Sequence, residues 1–296
     1  MNTKSAFIAI VGKPNVGKSS LMNALLGEKV AIVSSKPQTT RTRITGVLTK
    51  ETVQYVFLDT PGLHKPHNKL SEHMVKTVNQ SVADVDAAVL VVEPAGRLTD
   101  EEKNLIETFS ELRLPAVLVI NKIDLIVQKD DLLARIEELR GFYPFSAVLP
   151  ISAATGEGID GVLDELLPFA VASVHFFPDD ALTDQPERVI AGEMIREQLL
   201  NCLRQEIPHG TAVSIEKMHE RPDSDLIDID AIIYCERESH KGMIIGKGGA
   251  MLKRIASAAR EEIEHFLDTR VNLQCWVKVK EDWRNKEGLI RSFGLE

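Results

Sequence analysis

The stretch Gly12-Lys13-Pro14-Asn15-Val16-Gly17-Lys18-Ser19 constrains this chain more than any other. It has the form G-x-x-x-x-G-K-S, follows the apolar run Phe7 to Val11 and opens into a helical pattern from Ser20 to Leu26. Strand, glycine loop and helix in that order is the setting of a phosphate-binding loop. The glycines let the backbone curl around a phosphate with successive N–H groups turned inward, and the helix N-terminus adds partial positive charge at the same spot. Gly12, Lys13, Pro14, Asn15, Val16, Gly17, Lys18, Ser19 and Ser20 are therefore expected to line a nucleotide site. Within it Lys18 reaches the outer phosphates and the Ser19 hydroxyl holds Mg²⁺.

Beyond this loop, apolar runs alternate with helical patterns. Strands are predicted at 44–49, 53–58, 87–92, 116–120 and 147–151, and helices at 69–80, 100–110, 130–140 and 159–172. Thr99 and Glu102 fit a capping box for the second of these helices. Near-continuous apolar strands between amphipathic helices specify an α/β fold with a mostly parallel sheet covered on both faces. Ligands on such sheets bind at the carboxyl ends of the strands.

The other motifs of this half fall at those ends. Asp59-Thr60-Pro61-Gly62 closes the third strand. Asp59 can hold Mg²⁺ through water and the Gly62 N–H can approach a terminal phosphate, although a simple turn would have the same letters. Between the loop and that strand lies a polar stretch in which Gln38, Thr39, Thr40, Arg41 and Thr42 form an expected switch segment. A threonine hydroxyl there can complete Mg²⁺ coordination when a third phosphate is present, with Thr40 preferred to Thr39; an ordinary Ser/Thr-rich loop is the alternative. After the fifth strand stands Asn121-Lys122-Ile123-Asp124. The Asp124 carboxylate can accept from both the ring N–H and the exocyclic amine of guanine, a pair adenine lacks. Asn121 braces the base and the loop, and the Lys122 stem covers a ring face. Ser152 and Ala153, after the sixth strand, leave backbone N–H groups free for the guanine carbonyl oxygen. Four motifs in this order are far more specific than any one of them.

Residues 5 to 172 resemble the translation-factor-like superclass of P-loop GTPases. One departure stands out: Leu63 occupies the position at which Ras-like members carry a water-orienting glutamine. Leucine cannot orient water, so another group, the backbone or a partner must do so, and slow intrinsic turnover is expected.

At 296 residues the chain suits two domains, and 44% apolar residues suffice for a core in each. A net charge of −9 excludes a protein that coats nucleic acid with its whole surface, but not one with a local basic patch. Cys202, Cys235 and Cys275 are widely spaced, which argues against a metal or disulfide framework and for a reducing cytoplasm. No apolar run approaches the roughly 18 residues of a membrane helix, and no targeting segment is read at the N-terminus.

His175 to Pro186 breaks the alternation and reads as an ordered linker, since Phe176 and Phe177 need a surface to pack on. The expected organisation is a nucleotide domain at 1–174, a linker at 175–186 and a second domain at 187–296. In the latter, a helix is predicted at 187–205, strands at 211–218 and 226–235, a helix at 249–267 and a last strand at 271–280. Ahead of that helix, Ile245-Gly246-Lys247-Gly248-Gly249 has the I-G-x-x-G form with which KH domains clamp a nucleic-acid backbone. From Lys241 to Arg260 there are five basic residues and no acid, a local positive stripe on an acidic chain. Lys241, Ile245, Gly246, Lys247, Gly248, Gly249, Lys253 and Arg254 are the candidate RNA contacts; a glycine turn beside a solvated basic helix face is the alternative.

One phosphate loop followed by one KH domain of the bacterial (type II, α+β) kind makes the whole chain similar to the Era family of GTPases. Local resemblances are Pro37-Gln38-Thr39-Thr40-Arg41, Phe177-Pro178-Asp179 with Thr183-Asp184, Met194-Ile195-Arg196-Glu197, and Trp276-Val277-Lys278-Val279-Lys280 followed by Trp283-Arg284. The resemblance implies a cytoplasmic, monomeric switch that hydrolyses GTP with Mg²⁺, binds the 3′ end of small-subunit (16S) ribosomal RNA and assists 30S assembly. It also implies peripheral association with the inner membrane face, for which the residues offer no independent support. Trp283 and Phe293 fit either an interfacial anchor or, the preferred use, a cap on the domain core. Two rivals stay open: an RNA-binding scaffold with nucleotide as a structural ligand, and a GTPase that acts on another RNA or on a protein.

Overall fold

The computed structural model describes residues 3–126 and 128–295, which divide into two compact units: residues up to 67 with Ser71–Asp184, and residues from 185 onward with Asn68–Leu70. The first unit runs β1 (Lys4–Val11), α1 (Lys18–Leu26), β2 (Ile44–Lys50), β3 (Val53–Asp59), α2 (Lys69–Ala83), β4 (Ala87–Val92), α3 (Asp100–Leu112), β5 (Ala116–Ile120), α4 (Lys129–Arg140), β6 (Ala147–Pro150), α5 (Ile159–Leu166) and β7 (Val171–Ala172). The strands lie in the order β2-β3-β1-β4-β5-β6, parallel except for the β2–β3 hairpin, with β7 antiparallel to the start of β1.

The apolar runs of β1, β3, β4 and β5 are buried because helices cover both faces of the sheet. Alternate residues feed two cores. Ile8 and Ile10 pack with Leu21, Met22, Val162 and Leu166 on one face, and Ala9 and Val11 pack with Val78, Val82, Leu105 and Phe109 on the other. The capping box forms: Glu102 N–H donates to Thr99 Oγ1 at 3.2 Å, and Thr99 N–H donates to Glu102 Oε2 at 2.8 Å. A single helix over 159–172 does not form. Pro168 ends it in a tight turn at Leu167–Phe169, and Val171–Ala172 pair instead with Lys4 and Ser5. Residues 175–184 are pinned to the hairpin. Gln54 Oε1 accepts from the N–H of Phe176 (2.8 Å) and Phe177 (3.0 Å), Val47 N–H donates to Leu182 O (2.8 Å), and Phe176 meets Phe7 edge-on.

The second unit runs α6 (Glu187–Cys202), β8 (Ala212–Glu220), β9 (Leu226–Cys235), α7 (Glu238–Ile245), α8 (Ala250–Leu267), β10 (Arg270–Val279) and α9 (Glu287–Ser292). Its sheet has the order β10-β9-β8, with β9–β10 parallel and β8–β9 antiparallel. Ile190, Met194 and Leu199 of α6 share a core with Ile229, Ile233, Ile255 and Ile263. Trp283 is fully buried, donates its indole N–H to Gly210 O at 2.9 Å and meets the Phe293 ring, which in turn lies against Tyr234. These two aromatics therefore cap the core. The sequence reading missed α7 altogether. It is only eight residues long, and its apolar residues Met243, Ile244 and Ile245 fall together at one end, so no apolar period registers. Among the described residues no helix is long and apolar enough to cross a membrane.

Candidate functional site

The carboxyl ends of β1, β3, β5 and β6 surround a pocket of about 380 Å³ in the first unit. Pro14, Asn15, Gly17, Lys18, Ser19 and Ser20 form one wall, Gln38, Thr39, Thr40 and Gly62 a second, and Asn121, Lys122, Asp124 and Ala153 a third. Gly12, Lys13 and Val16 belong to the same loop, and Ser152 stands behind Asp124. Thr60 and Pro61 are buried beside it, with Thr60 Oγ1 donating to Ile10 O at 2.8 Å.

The phosphate loop leads straight into α1, whose N-cap is Gly17 at φ 98°. A Cβ there would lie 2.1 Å from Asn121 Nδ2, so both the backbone angle and the close approach demand glycine. Lys18 is buried, and its Nζ donates to Gly12 O (3.1 Å) and Lys13 O (2.9 Å). Burial lowers its pKa to about 8 despite the neighbouring Asp59 and Glu102 carboxylates. Ser19 Oγ donates to Asp59 Oδ2 at 2.6 Å, and Thr40 Oγ1 stands 3.2 Å from that oxygen and 2.9 Å from Ser19 Oγ. Asp59 Oδ1 is buried without a hydrogen-bond partner. Desolvation pushes the Asp59 carboxyl up, against the opposing pull of Lys18, Ser19 and Thr40. Two hydroxyls beside an unpartnered buried carboxylate oxygen are the donor set a hard cation such as Mg²⁺ takes. The Thr39 hydroxyl is occupied elsewhere, donating to Lys36 O at 2.7 Å.

At the opposite end, Asn121 Nδ2–H donates to Val16 O (2.8 Å), and its Oδ1 accepts from Ala153 N–H (2.9 Å), which ties three loops together. The Ala153 N–H is therefore not free, contrary to the expectation from sequence, nor is that of Ser152, which donates to Glu157 O at 2.9 Å. Ser152 Oγ donates to Asp124 Oδ1 at 2.6 Å and holds the carboxylate at the pocket rim. Lys122 sits at φ 69° and donates to Asn15 O at 2.6 Å. Arg41 is buried, Thr42 half-buried, and Gln38 Nε2 stands 3.4 Å from His64 Nε2. Leu63 packs in the second core and does not line the pocket.

Sequence reasoning missed Ile32, Val33, Ser34, Ser35, Leu125 and Ala154, which also line the pocket. Asn15 Nδ2–H holds the first of these segments by donating to Ser35 O at 2.8 Å. The apolar run Val30 to Val33 just after α1 was a signal available for it.

In the second unit, Gly246, Gly248 and Gly249 take φ of 72°, 60° and 80° between α7 and α8. A Cβ on Gly246 would lie 2.7 Å from Met251 Cβ, so the turn can pass that close to α8 only as glycine. The clamp thus joins two helices and does not lead from strand to helix. Lys241 and Ile245 are on α7, and Lys253 and Arg254 on α8. Lys247, Gly248, Lys253 and Arg254 are exposed, Lys241 and Gly249 half-buried, and Ile245 packs partly against the core. Gly249, the N-cap of the 18-residue α8, offers no side chain to the first N–H groups of that helix.

The profile of the 50S ribosome-binding GTPase family matches residues 7–122, and that of the KH domain matches residues 206–284. Over 291 residues, 98% of each chain, the sequence is 49% identical to GTPase Era of Clostridioides difficile (strain 630). It is 48% identical over 296 residues to GTPase Era of Ruminiclostridium cellulolyticum, covering 100% of this chain and 99% of that relative. Two solved structures are similar with TM-scores of 0.95 at 37% identity, covering 99% of both chains. One is an Aquifex aeolicus Era variant bound to GDP·AlF4⁻, and the other is Era in complex with MgGDPNP and nucleotides 1506–1542 of 16S ribosomal RNA.

Proposed function

The chain belongs to the Era family of GTPases, and from that premise we propose that it is a nucleotide-governed switch whose KH unit takes the 3′ end of small-subunit ribosomal RNA during 30S assembly. The observation that carries the nucleotide half is a single pocket with Lys18, Ser19 and Thr40 at one end and Asp124 with Ala153 at the other. A nucleoside triphosphate has that polarity, phosphates at one end and a base at the other.

In this reading Ser19, Thr40 and Asp59 hold Mg²⁺, which neutralises charge on the phosphates. Lys18 leaves the Gly12 and Lys13 carbonyls for the phosphate oxygens and, with the loop N–H groups, stabilises the charge that develops there. Water attacks the γ-phosphorus in line, the bond from that phosphorus to the bridging oxygen breaks, and GDP and phosphate leave. Leu63 lies in the core, so orienting the water falls to backbone, another side chain or the bound RNA, and slow turnover in isolation follows. Asp124, fixed by Ser152, selects guanine.

The domain assignment is a GTPase domain at 1–174, a linker at 175–186 and an RNA-binding domain at 187–296. Support for the RNA half comes from the glycine turn with its exposed Lys247, Lys253 and Arg254, together with the RNA bound by the similar Era structure. The cytoplasm is the proposed site of action, which suits the three free cysteines. Any membrane contact would be peripheral.

Binding of a 16S 3′-terminal oligonucleotide, titrated with GDP and with a non-hydrolysable GTP analogue, tests the switch. RNA affinity should differ between the two nucleotide states, and RNA should change the ratio of GTP-analogue to GDP affinity by the same factor. Equal RNA affinity in both states would identify a scaffold that carries nucleotide as a structural ligand.

A further inference from the structure

Strand β4 lies between β1 and β5 in the sheet, so its carboxyl end stands between the loop that meets phosphates and the loop that meets the base. The residue at that end is Glu93, directly after Val92, whose carbonyl accepts from Asn121 N–H at 2.9 Å. Both oxygens of Glu93 are used. Oε2 pairs with Lys13 Nζ of the phosphate loop at 2.8 Å, and Oε1 accepts from Lys122 Nζ of the base loop at 2.8 Å. Lys122 Nζ also donates back to Asn15 O at 2.6 Å. Partial burial opposes ionisation of Glu93, but the two ammonium groups outweigh it and hold the carboxyl below the usual carboxylate range. Glu93 itself does not line the pocket.

One carboxylate thus joins a lysine from each loop, in a layer outside the buried Asn121–Val16 link. Removing its charge would leave two ammonium groups side by side with no anion between them, Lys13 turning to solvent and Lys122 held by Asn15 O alone. The loops would then keep the amide link but lose the ion-paired one. A ligand that must reach both loops at once is sensitive to their spacing, because affinity depends on both subsites being in place beforehand.

From this we infer that Glu93 is a positioning residue that sets the spacing between the phosphate loop and the base loop, so that a guanine nucleotide finds both ends of its site preorganised. The inference rests on the reading of the pocket as a GTP site. It acts on ligands that span both loops and spares those that occupy one.

Glu93→Gln keeps the shape and removes the charge, and Glu93→Asp keeps the charge but shortens the reach. GTP, GDP and inorganic tripolyphosphate are titrated against each full-length protein, with steady-state phosphate release alongside. Glu93→Gln should weaken GTP and GDP about tenfold and raise KM to match, with kcat within about twofold and tripolyphosphate affinity within about twofold. Glu93→Asp should fall between Glu93→Gln and wild type. Combining Glu93→Gln with Lys13→Met should cost GTP affinity less than the two single losses summed, since both break one cluster. Unchanged GTP affinity in Glu93→Gln, or an equal loss for tripolyphosphate, overturns the inference. If wild type binds tripolyphosphate but shows no preference for GTP over it, the pocket reading fails before Glu93 is at issue.

Discussion

At the scale of single residues, side-chain identity and spacing carried most of the chemistry. Asp124 is legible because a carboxylate at that strand end offers two acceptor oxygens to the paired donors of guanine. Asp124→Asn should shift preference from GTP to XTP; competition binding with GTP, ATP and XTP checks it, and retained GTP preference would remove the assigned role. Lys18 yields a pH prediction. Its pKa in the free protein is about 8, against an ordinary value of 10.5, and bound phosphate favours the ammonium form. Nucleotide binding at pH 8.5 should therefore take up a substantial fraction of a proton, and at pH 7 far less. Calorimetric titration with GDP in buffers of different ionisation enthalpy, without Mg²⁺ so that Asp59 stays out of the exchange, reads this directly. Heats that do not depend on the buffer at pH 8.5 would place the charged ammonium in the free site. Glu93 was not legible. Nothing in its neighbours marks it, and its role exists only because β4 is inserted between β1 and β5, an order that no local pattern specifies.

At the scale of elements, long periodic segments were readable and short ones were not. The four central strands and α3 with its capping box follow from apolar runs and a Thr99–Glu102 pair. The two-residue β7 and the eight-residue α7 are held by tertiary pairing and by a glycine C-cap, so propensity alone does not reveal them. Recognising α7 changes the expectation for the clamp: Gly246–Gly249 bends between two helices, and Lys247 projects from the bend into solvent. Lys247→Asp should weaken single-stranded RNA binding about tenfold and flatten the logarithmic salt dependence by about 0.7 or more, one neutralised phosphate being lost. Anisotropy titrations at several salt concentrations decide it; full affinity with an unchanged slope would leave the bend a structural turn.

At the scale of the whole molecule, two units each with its own core follow from length and from the change of pattern near residue 175. Where the first unit closes on itself was not visible in the sequence, because it depends on how far strands β1 and β7 overlap. Thr3 and Ser173 exchange two hydrogen bonds, Ser173 N–H to Thr3 O at 3.1 Å and Thr3 Oγ1–H to Ser173 O at 2.7 Å. They meet beside the first residues of β1, at the amino-terminal end of this central strand and so at the end of the sheet opposite the pocket. A sheet whose first strand begins where its last strand ends behaves as a cassette. It can be carried on different host proteins, or cut elsewhere and rejoined there, without redirecting any strand that shapes the site.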